Sequence, residues 1–137
     1  MSPACAAAAI CTVLQGNPVV VDGDTLRFDK QYIRLFGIDA EERRETHGPR
    51  ATEGLQRLVA STPYIRCHLN GDTTHRRSVG SCYTSDGRDL AAALVSQGLV
   101  LDCARYSKGI YRHLEPAGAR DRLAQKPYCN WKPGARQ

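Results

Sequence analysis

Val19-Val20-Val21-Asp22-Gly23-Asp24-Thr25-Leu26-Arg27-Phe28-Asp29-Lys30-Gln31-Tyr32-Ile33-Arg34-Leu35-Phe36 reads as three β-rich runs, Val19 to Asp22, Thr25 to Phe28 and Gln31 to Phe36, parted by Asp-Gly-Asp and Asp-Lys turns. Branched and aromatic residues bounded by turn formers predict a meander of three strands. Asp22, Asp24 and Arg34 then fall at strand ends on one side of the meander, and Gly37-Ile38-Asp39-Ala40-Glu41-Glu42 follows directly with three more acids.

Outward from the meander, Pro49 suits the first turn of a helix with Ala51, Leu55, Leu58 and Val59 on one face, stopped by Ser61-Thr62-Pro63. Two β-like runs follow, Tyr64 to Leu69 and Val79 to Tyr83. Asp89 is a candidate cap for a helix that turns Leu90, Leu94 and Val95 inward and ends at Gly98. Arg105 to Tyr111 is expected to be a loop, and a last helix is expected from Pro116 to Ala124. Three strands, a helix, two strands and further helices match the OB-fold, a five-stranded Greek-key barrel with about three α-helices, mainly β in an α+β class. No internal repeat or second domain is evident.

The 137 residues, 42% hydrophobic, suit one core that buries roughly two-thirds of the unfolded surface. Nineteen basic against 14 acidic residues give a net charge of +5, which favours a polyanionic partner, and the basic side is mostly arginine, suited to two-pronged phosphate contacts. A merely soluble basic surface accounts for the charge equally well. No run approaches the length of a transmembrane helix. Nothing calls for a protein partner, and a monomer is expected.

The chemistry suggested is metal-assisted attack on a phosphodiester. A hard divalent cation such as calcium takes oxygen ligands, and Asp24 with Asp39 supply two charged ones if their strands are neighbours. Glu42, set slightly off the metal, suits a base that deprotonates water. Arg34 and Arg77 offer planar guanidinium groups to the phosphoryl oxygens. Each residue also has a structural reading. Asp-Gly is a common hairpin turn, Arg34 can be an ion-pair partner of Asp24 or Asp39, Arg77 a loop charge, and Glu41 to Glu45 an exposed charge run.

At these residues the chain resembles the staphylococcal nuclease (thermonuclease) family, whose hallmarks are a DGDT turn, an RL-x-G-I/V-D-x-x-E segment and a later arginine. Gly48-Pro49-Arg50-Ala51 is similar to the family's Gly-x-x-Ala, and Leu94-Val95-Ser96-Gln97-Gly98-Leu99 to its L-V-x-x-G-x-A. The resemblance covers residues 17 to 131, leaving an N-terminal segment, 1 to 16, and a short tail, 132 to 137. It implies Asp24, Asp39 and the backbone carbonyl of Ala40 as calcium ligands, Glu42 as general base, and Arg34 and Arg77 as phosphate-binding arginines. Asp22 would tune the site from behind the ligands or simply make the turn. The implied activity is that of a sugar-nonspecific endonuclease on single-stranded DNA and RNA, leaving 3′-phosphate ends. The competing class is a non-catalytic OB module that binds nucleic acid or protein.

The chain departs from the family pattern in places. Glu41 stands where the family has proline, adding a charge beside the base. Asp72-Thr73-Thr74-His75-Arg76-Arg77 replaces Asp-x-Tyr-Gly-Arg, so that alignment back from Tyr83 selects Arg77 and puts His75 at the base-stacking position, with Arg76 as a substitute arginine. Tyr106 and Tyr111 are candidates for stacking beside the site, or for anchoring their loop.

Six cysteines without a Cys-x-x-Cys pair point to disulfides. Cys67 and Cys82 come first, opposite one another if their runs form a hairpin, which stabilises the fold by about 3 kcal/mol in the chain-entropy picture. Cys103 with Cys129, and Cys5 with Cys11, are further pairings. Oxidation implies a periplasmic or secreted protein. Residues 3 to 13 are small and apolar like the tail of a signal peptide, although no basic residue precedes them, and Ile10 to Val13 equally suit entry into a first strand.

Overall fold

A computed structural model of the chain describes residues 12–130. The expected meander is present as β2 (Val19–Asp22), β3 (Thr25–Phe28) and β4 (Gln31–Leu35). It is joined by β1 (Thr12–Gly16), β6 (Ile65–Thr74) and β7 (Arg77–Thr84) in a six-stranded sheet of order β1-β6-β7-β4-β3-β2. The sheet curls: a Cβ built at Gly16, at the end of edge strand β1, would lie 3.9 Å from the Phe28 ring on β3, near the opposite edge. β5 (Ile38–Asp39) and β8 (Leu101–Asp102) form a separate antiparallel pair. The result is an α+β half-barrel of the OB type, with more strands than the expected five.

Among the described residues four α-helices accompany the sheet: α1 (Gly48–Ala60), α2 (Leu90–Ser96), α3 (Ala104–Ser107) and α4 (Ala119–Arg122). In α1, Ala51, Leu55 and Leu58 are buried as their spacing predicts, and in α2 the Asp89 carboxylate accepts hydrogen bonds from the N–H groups of Ala91 and Ala92 as the expected cap. Leu26, Ile33 and Leu35 from the meander meet Leu55, Ile65, Leu90 and Leu94 in the core.

Two expectations are corrected. The stretch expected as a loop from Arg105 holds α3, a single helical turn closed by left-handed Lys108 (φ 59°). The last helix is only the four residues of α4, because Gly118 sits in a left-handed conformation (φ 83°) that separates it from Pro116.

Cys67 and Cys82 face each other across β6 and β7 and form a disulfide, and a second joins Cys103 to Cys129. The pairing of Cys5 with Cys11, and most of the apolar segment 3 to 13, lie outside the described residues. Among the described residues no helix is long and apolar enough to cross a membrane.

Small residues set the approach of α1 to the meander. A Cβ on Gly23 would stand 2.6 Å from the Ala51 Cβ and 2.9 Å from that of Ala40, so only glycine lets the Asp-Gly-Asp turn rest on both. At Gly48 a Cβ would fall 1.7 Å from the Glu42 carbonyl oxygen. Gly48→Ala is therefore expected to destabilise the protein by about 2 kcal/mol, read as a lower urea midpoint at unchanged slope. A variant as stable as the parent would show that the Glu42 backbone is not held there.

Candidate active site

Arg34 stands opposite Thr25 across β3 and β4, and opposite Val79 through the parallel pairing of β4 with β7. Its Nε lies 3.3 Å from Asp24 Oδ2, and its Nη2 lies 3.5 Å from Asp39 Oδ1 and donates to the Ile38 carbonyl at 3.1 Å. Asp24 Oδ2 also accepts the Ala40 N–H (3.1 Å), and Asp24 Oδ1 accepts the Thr25 hydroxyl (3.0 Å). Arg77 reaches the same Thr25 hydroxyl with Nη1 at 3.0 Å. The two carboxylates thus share one guanidinium, and the second arginine is one hydroxyl away. All of these side chains except that of Thr25 line a cleft of about 1010 Å³. The Nε atoms of both arginines are buried and donate no hydrogen bond among the described residues, although Arg34 Nε is close to Asp24. Two guanidinium groups in the wall of a cleft suit an anionic ligand.

The acids outweigh the nearest cation. Burial and the neighbouring Asp24 carboxyl push the Asp22 carboxyl up to about 6, despite the Asp24 N–H it accepts. Burial also raises Asp39, against the pull of the Lys126 N–H and Arg34. For Arg34 burial acts to lower the pKa, but Asp24, Tyr128 and Asp39 override it and the guanidinium is held more firmly charged. Two buried carboxylates sharing one guanidinium, with the Asp22 carboxyl beside Asp24, leave a surplus of negative oxygen, the chemistry of a hard divalent cation. Among the described residues no three acidic, histidine or cysteine side chains converge tightly enough to enclose an ion alone. A calcium ion here would take Asp24 and Asp39, with backbone carbonyl and water oxygens completing its shell. The donor set fits on those terms.

The two adjacent glutamates part company. Glu42 is exposed and lines the cleft, and its carboxylate accepts none of the hydrogen bonds seen among the described residues, while its backbone N–H donates to Glu45 Oε1 at 2.6 Å. Glu41 is buried. Its Oε1 accepts the His47 N–H (3.1 Å) and its Oε2 the Ala124 N–H (3.0 Å), so this glutamate ties two distant backbone segments together.

The other sequence candidates divide as well. His75 lines the cleft from the turn between β6 and β7, where both it and Arg76 take left-handed conformations (φ 47° and 65°). Arg76 instead lines a second, shallower hollow with Phe28, Lys30 and Tyr32. Tyr106 is exposed in the cleft wall with the Arg105 guanidinium 5.7 Å from its ring centroid. Tyr111 is not in the cleft: it is buried, its hydroxyl donates to Asp89 Oδ2 at 2.8 Å, and its ring fills the space beside Gly37. Sequence reading missed Lys126 and Tyr128. The Tyr128 hydroxyl donates to Asp39 Oδ1 (3.2 Å), and the Lys126 N–H faces Asp39 Oδ2 (3.4 Å). One signal pointed there. If Cys103 pairs with Cys129, the residue before Cys129 must lie near β8 and hence near Asp39, its partner strand.

A family model described as staphylococcal nuclease homologue matches residues 32–130, a range that includes Arg34, Asp39, Glu42 and Arg77 and begins after Asp24. The chain is 26% identical over 106 residues to the succinoglycan biosynthesis protein ExoI of Rhizobium meliloti (strain 1021), covering 70% of this chain and 56% of that protein. It is 31% identical over 94 residues to an uncharacterized endonuclease of Escherichia coli O157:H7, covering 65% of this chain and 61% of that protein. A further uncharacterized endonuclease, of Escherichia coli, matches to the same extent. The chain therefore spans about three-fifths of the length of these relatives.

Proposed function

The chain belongs to the staphylococcal nuclease homologue family, and from that premise we propose that it hydrolyses phosphodiester bonds of single-stranded DNA and RNA with calcium, leaving 3′-phosphate ends. The observation that carries the reading is the shared guanidinium of Arg34 between Asp24 and Asp39, with Arg77 joined to the same cluster through Thr25.

In this reading Asp24, Asp39 and the Ala40 carbonyl hold the ion. Bound there, calcium supplies Lewis acidity to a phosphoryl oxygen and lowers the pKa of water. Glu42, exposed in the cleft without a competing hydrogen bond, takes the proton of the attacking water. The guanidinium groups of Arg34 and Arg77, which line the cleft, bind the phosphoryl oxygens as negative charge grows on them. The bond from phosphorus to the 5′ oxygen breaks, and that oxygen takes a proton from solvent. Arg43, Arg44 and Arg105 along the cleft attract the flanking phosphates, and Tyr106 and His75 offer ring faces to bases. The two disulfides among the described residues fit an oxidising compartment, so a periplasmic or secreted location belongs to the proposal.

The test is cleavage of single-stranded DNA and RNA oligonucleotides with calcium and with excess chelator, with end-group analysis of the products. Cleavage with calcium that falls by at least about 100-fold in chelator, giving 3′-phosphate ends, is the expected result. Binding of the oligonucleotide with no cleavage under any condition would instead mark a non-catalytic nucleic-acid-binding module.

A further inference from the structure

The segment from Ala124 to Cys129 holds only a three-residue helical turn at Pro127–Cys129, too little local structure to fix its own path. Its course is set by bonds to the acidic side of the cleft. The Ala124 N–H donates to Glu41 Oε2 (3.0 Å), the Lys126 N–H faces Asp39 Oδ2 (3.4 Å), Lys126 Nζ meets Glu45 Oε1 (3.0 Å), and the Tyr128 hydroxyl donates to Asp39 Oδ1 (3.2 Å). Gln125 Nε2 donates to the Asp102 carbonyl (2.7 Å), on the strand that pairs with β5 and so carries Asp39's neighbour. The far end is fixed covalently, since Cys129 is bonded to Cys103, the residue after that strand.

The segment matters more to the acids than to itself. Asp39 has three donors among the described residues outside the backbone ladder: Arg34, the Lys126 N–H and the Tyr128 hydroxyl. Two of the three come from this segment. Glu41 likewise receives one of its two donors from it, and Glu41 fixes His47 at the start of α1 and with it the loop that carries Glu42.

We propose that Ala124–Cys129 is a strap, pinned by the Cys103–Cys129 disulfide, that holds Asp39 and the Glu41–Glu45 loop in register, with Tyr128 as the positioning residue of Asp39. Its consequence for catalysis rests on the nuclease reading above. The positioning itself does not. Carboxylates that have lost their orienting donors bind a cation less well, and orienting partners of metal-binding groups are typically worth about 10-fold or more in affinity.

The experiment compares the full wild-type chain with Tyr128→Phe and with the double variant Cys103→Ser, Cys129→Ser. Amide hydrogen exchange is followed over residues 39–47 and 124–129, calcium affinity by titration calorimetry, and kcat and KM on a short oligonucleotide. The double variant is expected to exchange faster in both segments while β6 stays protected, and to bind calcium about 10-fold more weakly. Tyr128→Phe keeps the ring and loses only the hydroxyl, so it carries the test if the double variant does not fold. It is expected to raise exchange over residues 39–47 as well as at Lys126, to weaken calcium by about 5-fold and to lower kcat with KM unchanged. Exchange unchanged over 39–47, or raised evenly over the whole chain, would overturn the strap. A wild type that neither binds calcium nor cuts, with the loop still loosened in the variants, would overturn the nuclease reading and leave the strap standing.

Discussion

Arg34→Ala is expected to lose both cleavage and a large part of the protein's stability. The Asp24 and Asp39 side chains are 8% and 4% exposed and face this one guanidinium, itself 11% exposed, and the Ile38 carbonyl takes a hydrogen bond from it. Removing a cation from between buried anions costs about 3–5 kcal/mol, because the partners remain desolvated and now repel each other. The deficit should be measured by urea unfolding in chelator. Added calcium is expected to return part of it, because an ion bound between the same carboxylates favours the folded state by mass action. Arg34→Lys is not expected to restore either property, since one compact ammonium cannot span both acids while donating to the carbonyl. Cleavage by Arg34→Ala should fall by about 100- to 1000-fold even where calcium has restored the fold, through loss of a donor to the developing phosphoryl charge. An alanine variant as stable as its parent in chelator would refute the shared-guanidinium account, and one indifferent to calcium would refute the ion site between Asp24 and Asp39.

What the sequence discloses is what neighbours in the chain decide. The meander is legible because its turns are local, and Asp22-Gly23-Asp24 both makes the turn and delivers Asp24 to the cleft. The cap of α2 is legible because Asp89 precedes the apolar face it caps. α3 escapes notice because a single turn has no periodicity to detect, and α4 is overestimated because nothing local shows Gly118 breaking away from Pro116. In the site the same line divides Glu42 from Glu41. A base position can be proposed from a short motif, but the task of Glu41 depends on an N–H at Ala124, 83 residues on, and the hydroxyl that orients Asp39 comes from Tyr128, 89 residues on. Such contacts are written in tertiary structure alone. Cysteine pairing is the exception, a long-range constraint that leaves a visible residue type at both ends.

Glu42→Gln should separate chemistry from folding. The side chain is exposed and accepts none of the described hydrogen bonds, so the amide is expected to leave stability within about 0.5 kcal/mol of the parent. If Glu42 takes the proton of the attacking water, kcat falls by about 100- to 10,000-fold, because an amide of the same shape cannot accept it, while KM for an oligonucleotide stays the same. Glu41→Gln supplies the contrast one residue away. Its amide would turn an NH₂ group towards either the His47 or the Ala124 N–H, leaving a buried donor without an acceptor at a cost of about 1–3 kcal/mol. The variant at 41 is thus expected to lower the unfolding midpoint first and activity as a consequence, whereas the variant at 42 lowers activity alone. Full activity in Glu42→Gln would return Glu42 to the exposed charge run that surrounds it and leave the cleft without an identified base.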